Sequence, residues 1–347
     1  EPLFRSSIVE MAGGKFLGTT NDTGDFTFAG STVSGKDAVE AYEGKLERIF
    51  PTVAKSAEMP FAIDVYTAGA PRKAAPGVLK GAKPKVIIPV FPGNNCEIDS
   101  ARAFERAGAD AEVFVIRNRN QNDINESFAE LAAKIREANI MMIPGGFSAG
   151  DEPEGSGKFI TASLRNSGIA DAISDLLDNR DGLALGICNG FQALIKLGLV
   201  PFGKICDMTP DSPTLTFNNI GRHQNVYART KIMTNKSPWL SLCEPGEIYD
   251  IPLSHGEGKF VASEDIVRKL AANGQIATCY VDLDGNYASD TQFNPNGSIC
   301  AIEGITSPDG RVLGKMGHTE RYESDLTKNI PGNKYQKIFE SGVAYFL

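Results

Sequence analysis

Histidine is scarce. His223, His255 and His318 are the only three in 347 residues, and none stands at metal-ligand spacing. No Cys-x-x-Cys pair occurs among the six scattered cysteines (96, 188, 206, 243, 279 and 300). That argues against a zinc site and against a disulfide frame, and for reduced thiols in a cytoplasmic protein that holds no metal. No apolar run approaches the ~18 residues needed to cross a bilayer, and no signal-peptide pattern opens the chain, so no membrane role is expected. Basic excess is missing too. Lys and Arg number 35 against 43 Asp and Glu, a net charge of −8, which argues against nucleic acid or an anionic membrane as the main partner. Neither an internal repeat nor a low-complexity tract stands out. The chain opens at Glu1, without methionine and seemingly in mid-fold, so it is expected to be a piece of something longer.

What is present is an ordinary globular composition, 41% apolar and 22% charged, with length enough for one large domain or two smaller ones. Residues 1–34 carry short β-like runs among turn residues. A helix follows at about 36–50, with Val39, Tyr42, Leu46, Ile49 and Phe50 at helical spacing and Ser34-x-x-Asp37 as its cap. We expect residues 1–66 to form a short α+β part and 67–84, rich in Ala, Pro, Gly and Lys, to be a linker. From Lys85 strands and helices alternate: strands at 85–91, 111–116 and 139–143, helices at 100–107, at 124–138 and in two stretches near 157–179. Such alternation predicts an α/β fold with a parallel sheet and functional groups at the carboxyl ends of its strands. After Pro201 the pattern is β-rich, with strands at 226–232, 247–253, 276–281, 298–304 and 311–316 and one helix at 264–272.

The chemistry centres on Gly186-Ile187-Cys188-Asn189-Gly190, where an apolar strand meets a helical pattern. This is the context of a nucleophile elbow with cysteine as the nucleophile. The turn needs small residues at Gly186 and Gly190, and the helix N-terminus is expected to favour thiolate at Cys188. The amide of Asn189 is placed to donate to an oxyanion. Gly317-His318-Thr319-Glu320 directly follows a strand. Read as extended, it projects His318 and Glu320 to the same side, so that the carboxylate orients a general base. Pro144-Gly145-Gly146-Phe147-Ser148 ends another strand and offers backbone amides as a second oxyanion donor. His255-Gly256-Glu257-Gly258 is either a polar wall of the active site or a turn between Leu253 and Phe260, and His223 suits a surface or interface loop.

Together these residues resemble a class I (triad-type) glutamine amidotransferase. Phe91-Pro92-Gly93-Asn94-Asn95-Cys96-Glu97, Pro144 to Asp151, Gly186 to Gln192, Ser254 to Gly258 and Gly317 to Arg321 run in the family's order over about 85–325. The Phe-Ser-x-Gly-Asp and His-Gly-Glu-Gly stretches are similar in particular to the glutaminase domains of phosphoribosylformylglycinamidine synthases of purine biosynthesis. The resemblance implies a flavodoxin-like glutaminase domain at 85–347, with Cys188 as nucleophile, His318 as base and Glu320 as its orienter. Gln192 and the Gly145, Gly146, Phe147 segment would line the glutamine pocket, with Asn189 at the oxyanion. Thr319 stands where the family usually has proline, a change that would loosen the turn, and Ala149 where an aromatic is common.

By the same resemblance, residues 1–66 correspond to the tail of a synthetase region in the large single-chain form of the enzyme. Glutamine would be the substrate and the synthetase domain the partner. No cofactor is expected in this chain, ATP and Mg²⁺ belonging to the synthetase portion that makes formylglycinamidine ribonucleotide. A γ-glutamyl hydrolase or peptidase on the same fold, a non-catalytic binding module, and an amidotransferase for GMP or CTP synthesis are the alternative readings.

Overall fold

A computed structural model of the chain describes residues 11–15, 18–69, 72–79, 82–151 and 156–347. The β-like runs expected before Met11, and positions 70, 71, 80 and 81 of the expected linker, lie outside them. The chain forms two compact units, Glu1–Thr52 and Val53–Leu347.

In the first unit, β1 (Phe26–Phe28) and β2 (Ser31–Val33) pair antiparallel, and Ser34 caps helix α1 (Gly35–Glu43) by accepting from the Asp37 amide at 3.0 Å. A 3₁₀ turn, Gly44–Leu46, follows. The apolar side chains that define the helical pattern stay uncovered: none of α1 is buried, and Val39, Tyr42, Leu46, Ile49 and Phe50 are all exposed.

The second unit already includes the residues ahead of Lys85. Ile63 is buried in its core, the Tyr66 amide donates to Met233 O at 2.8 Å, and Ala57 N donates to Ser289 O. The described part of 67–84 is laid along this unit by polar contacts, Arg72 to Asp181 at 2.7 Å, the Ala75 amide to Asp181 and the Ala74 amide to Tyr345 O, and by Ala74, Val78 and Leu79, partly buried against the core. The first strand of the sheet still begins at Lys85.

That sheet has nine strands. Four strands, β4 (Asp110–Val115), β3 (Lys85–Val90), β5 (Ile140–Ile143) and β6 (Leu183–Ile187), run parallel in that order, and β13 (Val312–Lys315) joins parallel to β6. Antiparallel β12 (Ile302–Thr306), β11 (Ile276–Tyr280), β8 (Gln224–Ile232) and β9 (Ile248–His255) complete it. The 2-1-3-4 order at the parallel end is the flavodoxin-like arrangement, which collects loops at the carboxyl ends of the strands. The helices of this unit are α2 (Glu97–Arg106), α3 (Gln121–Glu137), α4 (Lys158–Leu164), α5 (Ser167–Ser174), α6 (Asn189–Leu197), α7 (Leu199–Phe202), α8 (Glu264–Ala272) and α9 (Ile338–Ala344). Phe104 of α2 meets Trp239 and Phe339 of α9 edge-on, at centroid distances of 6.2 and 4.9 Å.

A two-stranded sheet of β7 (Thr214–Phe217) and β10 (Glu257–Val261) was not foreseen, nor was α9. The strand expected at 298–304 starts only at Ile302, because Cys300 and Ala301 hold left-handed conformations (φ 49° and 55°) in a 3₁₀ turn.

Candidate active site

Four loops at the carboxyl ends of β3, β5, β6 and β13 bring the candidate residues together. Cys188 lies at the end of β6 and caps α6 with φ 54° and ψ −107°, a conformation that a β-carbon strains. The tight crossing of strand and helix explains its glycines. A β-carbon on Gly190 would run into the Ile143 carbonyl, and one on Gly186 would sit 2.6 Å from Leu194 Cδ1 and 2.7 Å from the Gly190 carbonyl. Gly145 separates the reactive groups, since a side chain there would meet His318 Cε1 at 2.8 Å, Cys96 Sγ at 3.1 Å and Cys188 Cβ at 3.4 Å.

His318 Nδ1 lies 2.6 Å from Glu320 Oε1, both residues 1% exposed. The pairing was expected; the geometry differs. β13 ends at Lys315, and Thr319–Arg321 is a single 3₁₀ turn with the Arg321 amide donating to His318 O. The turn, rather than an extended alternation, folds Glu320 back onto the ring. Burial pushes the Glu320 carboxyl up, but the charge and hydrogen bond of His318 outweigh it and hold the group below the usual carboxylate range. An ionised Glu320 needs a proton on Nδ1, and Nε2 is buried without a hydrogen-bond partner among the described residues.

The Cys188 thiol departs from expectation. Burial pushes it up to about 12, helped by Cys96 and Glu320, while the Arg321 charge and the Asn189 amide oppose the shift without reversing it. Desolvation outweighs the helix N-terminus, so the sulfur is a thiol until a base takes its proton. The sulfur also lies 3.8 Å from Ser254 O, a long hydrogen bond.

Asn189, Gln192 and Glu257 form one hydrogen-bonded network. Asn189 Oδ1 accepts from the Ser148 amide at 3.2 Å, and its Nδ2 donates to Gln192 Oε1 at 2.9 Å. Gln192 Nε2 donates to the Glu257 carbonyl, and Glu257 Oε2 accepts from the Ser156 amide at 3.1 Å. In the Gly145, Gly146, Phe147 loop the Phe147 amide donates to Gly93 O at 2.9 Å, so an oxyanion donor from this loop has to be Gly145 or Gly146. The Phe147 ring is exposed beside His223, which bonds Ser254 Oγ at 3.1 Å. His255 is 2% exposed against Gly258, and neither ring nitrogen has a partner. Burial, with His318 and His223 nearby, lowers its pKa to about 3, so the ring is neutral.

Sequence reasoning left Cys96 without a role. Its sulfur sits 3.8 Å from His318 Nδ1 and accepts from Arg321 Nη2 at 3.3 Å. Among the described residues Cys96, His318 and Glu320 are a group whose donor atoms lie within 4.8 Å of one another, but the Arg321 cation against the sulfur opposes a metal ion there. Thr319 is not loose either: its Oγ1 accepts from Lys315 Nζ at 2.9 Å and donates to Gln336 Oε1 at 2.8 Å. A cavity of about 570 Å³ lined by Lys85, Asn139 and Arg180 lies at the opposite end of the strands.

Residues 83–346 match the model of the CobB/CobQ-like glutamine amidotransferase domain. The chain belongs to this family. The amidotransferase domain is 34% identical over 241 residues to the phosphoribosylformylglycinamidine synthase subunit PurQ of Dehalococcoides mccartyi, covering 70% of this chain and 86% of that one. PurQ of Methanococcus maripaludis strain C5 is likewise 34% identical over 282 residues, covering 76% and 98%. Among solved structures, one described as PurLQS from Thermotoga maritima superposes with a TM-score of 0.54 at 26% identity, covering 76% of this chain and 99% of that one. The second unit thus has the class I glutamine amidotransferase fold, and the chain is an amidotransferase enzyme. No helix among its described residues is long and apolar enough to cross a membrane.

Proposed function

We propose that the chain hydrolyses glutamine for phosphoribosylformylglycinamidine synthesis, with Cys188 as nucleophile, His318 as base and Glu320 as its orienter. The observation that carries this is Cys188 in its strained elbow, across Gly145 from a His318 ring held by Glu320. Its likeness to PurQ subunits names the pathway. His318 Nε2 takes the Cys188 proton as the sulfur attacks the glutamine side-chain carbonyl. The Asn189 amide and a Gly145 or Gly146 amide hold the tetrahedral oxyanion. Collapse breaks the C–N bond, and the His318 proton leaves with ammonia. His318 then takes a proton from water, which cleaves the γ-glutamyl thioester to glutamate and returns the thiol.

Ammonia passes to a synthetase partner, which uses ATP and Mg²⁺ to make the amidine, and this chain needs no cofactor of its own for the glutaminase step. The uncovered apolar face of α1 supports reading the first unit as part of that synthetase. The test is glutamate release from glutamine by wild type and Cys188→Ala, with and without an added synthetase portion. Release that requires Cys188 and rises with the synthetase supports a coupled glutaminase. Release unaffected by Cys188→Ala overturns the nucleophile assignment, and release indifferent to any synthetase supports a stand-alone γ-glutamyl hydrolase instead.

A further inference from the structure

The loop that carries His318 rests on a buried charge pair that the reaction itself does not use. Lys315 closes β13 and Glu303 lies beside it in β12, where Gly304 pairs with Lys315. Both are 1% exposed, with Nζ and Oε1 3.5 Å apart. Lys315 Nζ donates to the Gly317 carbonyl and to Thr319 Oγ1, each at 2.9 Å. Glu303 Oε1 accepts from the Gly317 amide at 2.5 Å, and its other oxygen accepts from Thr278. Gln336 holds Thr319 from the far side. Both neighbours of His318 are therefore gripped, Gly317 at its N–H and its carbonyl and Thr319 at its hydroxyl. Gly317 is packed so closely that a β-carbon would sit 2.7 Å from Ile251 Cγ2 and 2.9 Å from Lys315 Nζ.

Burying two charges in a sheet is costly, and an apolar pair of similar size usually serves stability as well or better. Here the side-chain bonds of Lys315 go to the base loop, and those of Glu303 to the base loop and to Thr278 of β11. We propose that Lys315 and Glu303, with Gln336, are positioning residues that fix the turn at Gly317–Thr319 and so the aim of the His318 ring. They supply by hydrogen bonds the stiffness that a proline after the histidine would supply by its ring. This rests on reading His318 as the general base.

The test is steady-state glutamate release by the full chain, under the condition in which wild type is active. The pair is neutralised together, as Lys315→Met with Glu303→Gln, so that no lone charge is left buried. Thr319→Val is the second variant, removing one grip without touching the pair, and melting curves report the fold of each. We expect kcat to fall about 10–100-fold in the double variant, the range of a misaimed catalytic group, with KM within about threefold. Thr319→Val should fall in the same direction but less far. Thr319→Pro suits the first position of a helical turn at the loss of the Thr319 amide's bond to Gly317 O (3.1 Å), and added to the double variant it should recover kcat about tenfold. Folded variants with wild-type kcat overturn the proposal, and so does a proline that recovers nothing. His318→Ala separates the two readings: if it leaves glutamate release intact, the base assignment fails whatever the pair does.

Discussion

A methyl group added at Gly145 would press on His318, Cys96 and Cys188 together, and all three are buried with little room to yield. Gly145→Ala is therefore expected to lower kcat for glutamine hydrolysis about 100-fold by forcing the proposed base and nucleophile apart, with unchanged secondary structure by circular dichroism. Wild-type kcat in a folded Gly145→Ala would mean that the two do not act across this glycine. Glu320 gives a second prediction, through its depressed carboxyl. A carboxylate whose folded pKa lies below its unfolded value, ~4.3, contributes stability present above that value and lost as pH falls through the folded one. The melting-temperature gap between wild type and Glu320→Gln should be widest near neutrality and narrow below about pH 4; a constant gap refutes the linkage. Cys188, His318 and Glu320 could be singled out as candidates in the sequence because turn residues flank them in fixed order. Cys96, Lys315 and Glu303 could not be assigned, because their meaning depends on strand register and loop closure. The one available signal was a charge inside each of two apolar runs, Val-Leu-Gly-Lys-Met and Ala-Ile-Glu-Gly-Ile. The high Cys188 pKa was equally unreadable, since it follows from burial rather than from neighbours in sequence.

At the scale of elements, the site depends on β13 lying parallel to β6 with Gly314 opposite Gly186 and Lys315 opposite Ile187. Phe191 of α6 covers Gly314, and the missing side chain at Gly190 lets that helix approach Ile143. Gly190→Ala should cost about 1–3 kcal/mol, the usual price of overpacking, and lower both the melting temperature and kcat. Asn120→Ala is the contrasting change. Asn120 Oδ1 accepts from the Asp123 amide at 3.0 Å and caps α3, away from the site, so its loss should cost about 1 kcal/mol with kcat unaltered. Equal effects of the two changes on kcat would contradict the placement of the site. The parallel strands were legible because each is a short apolar run set between turn and helix signals. β10 was not: its residues follow His255 after only Gly256, and its strand character comes from pairing with β7, forty residues earlier. α9 owes its existence to the same kind of distant packing, its Phe339 against Phe104.

For the whole molecule, alkaline pH tests how thoroughly the large unit excludes water. Burial is the first cause of raised thiol pKa values at Cys96 (about 11), Cys188 (about 12), Cys243 (about 11) and Cys279, which lies well above its ordinary value. These thiols are distributed from the β3 loop to β11, so the effect belongs to the core rather than to the catalytic pocket alone. An unfolded cysteine ionises near 8.5, so above that pH the unfolded chain sheds protons that the folded one keeps. A raised folded pKa contributes stability that is complete below the unfolded value and lost as pH rises toward the folded one. Each such thiol removes at most about 1.4 kcal/mol per pH unit across that window. Melting temperature should therefore decline from about pH 9 upward. Cys279→Ala isolates one contribution, because Cys279 is fully buried in β11, away from the base loop. Its substitution leaves a small void with a pH-independent cost and removes one of the groups that ionise on unfolding. The variant should melt below wild type at pH 7.5 and approach it as pH rises to 10.5; a gap that stays constant would mean that the Cys279 thiol ionises as readily in the folded chain as in the unfolded one.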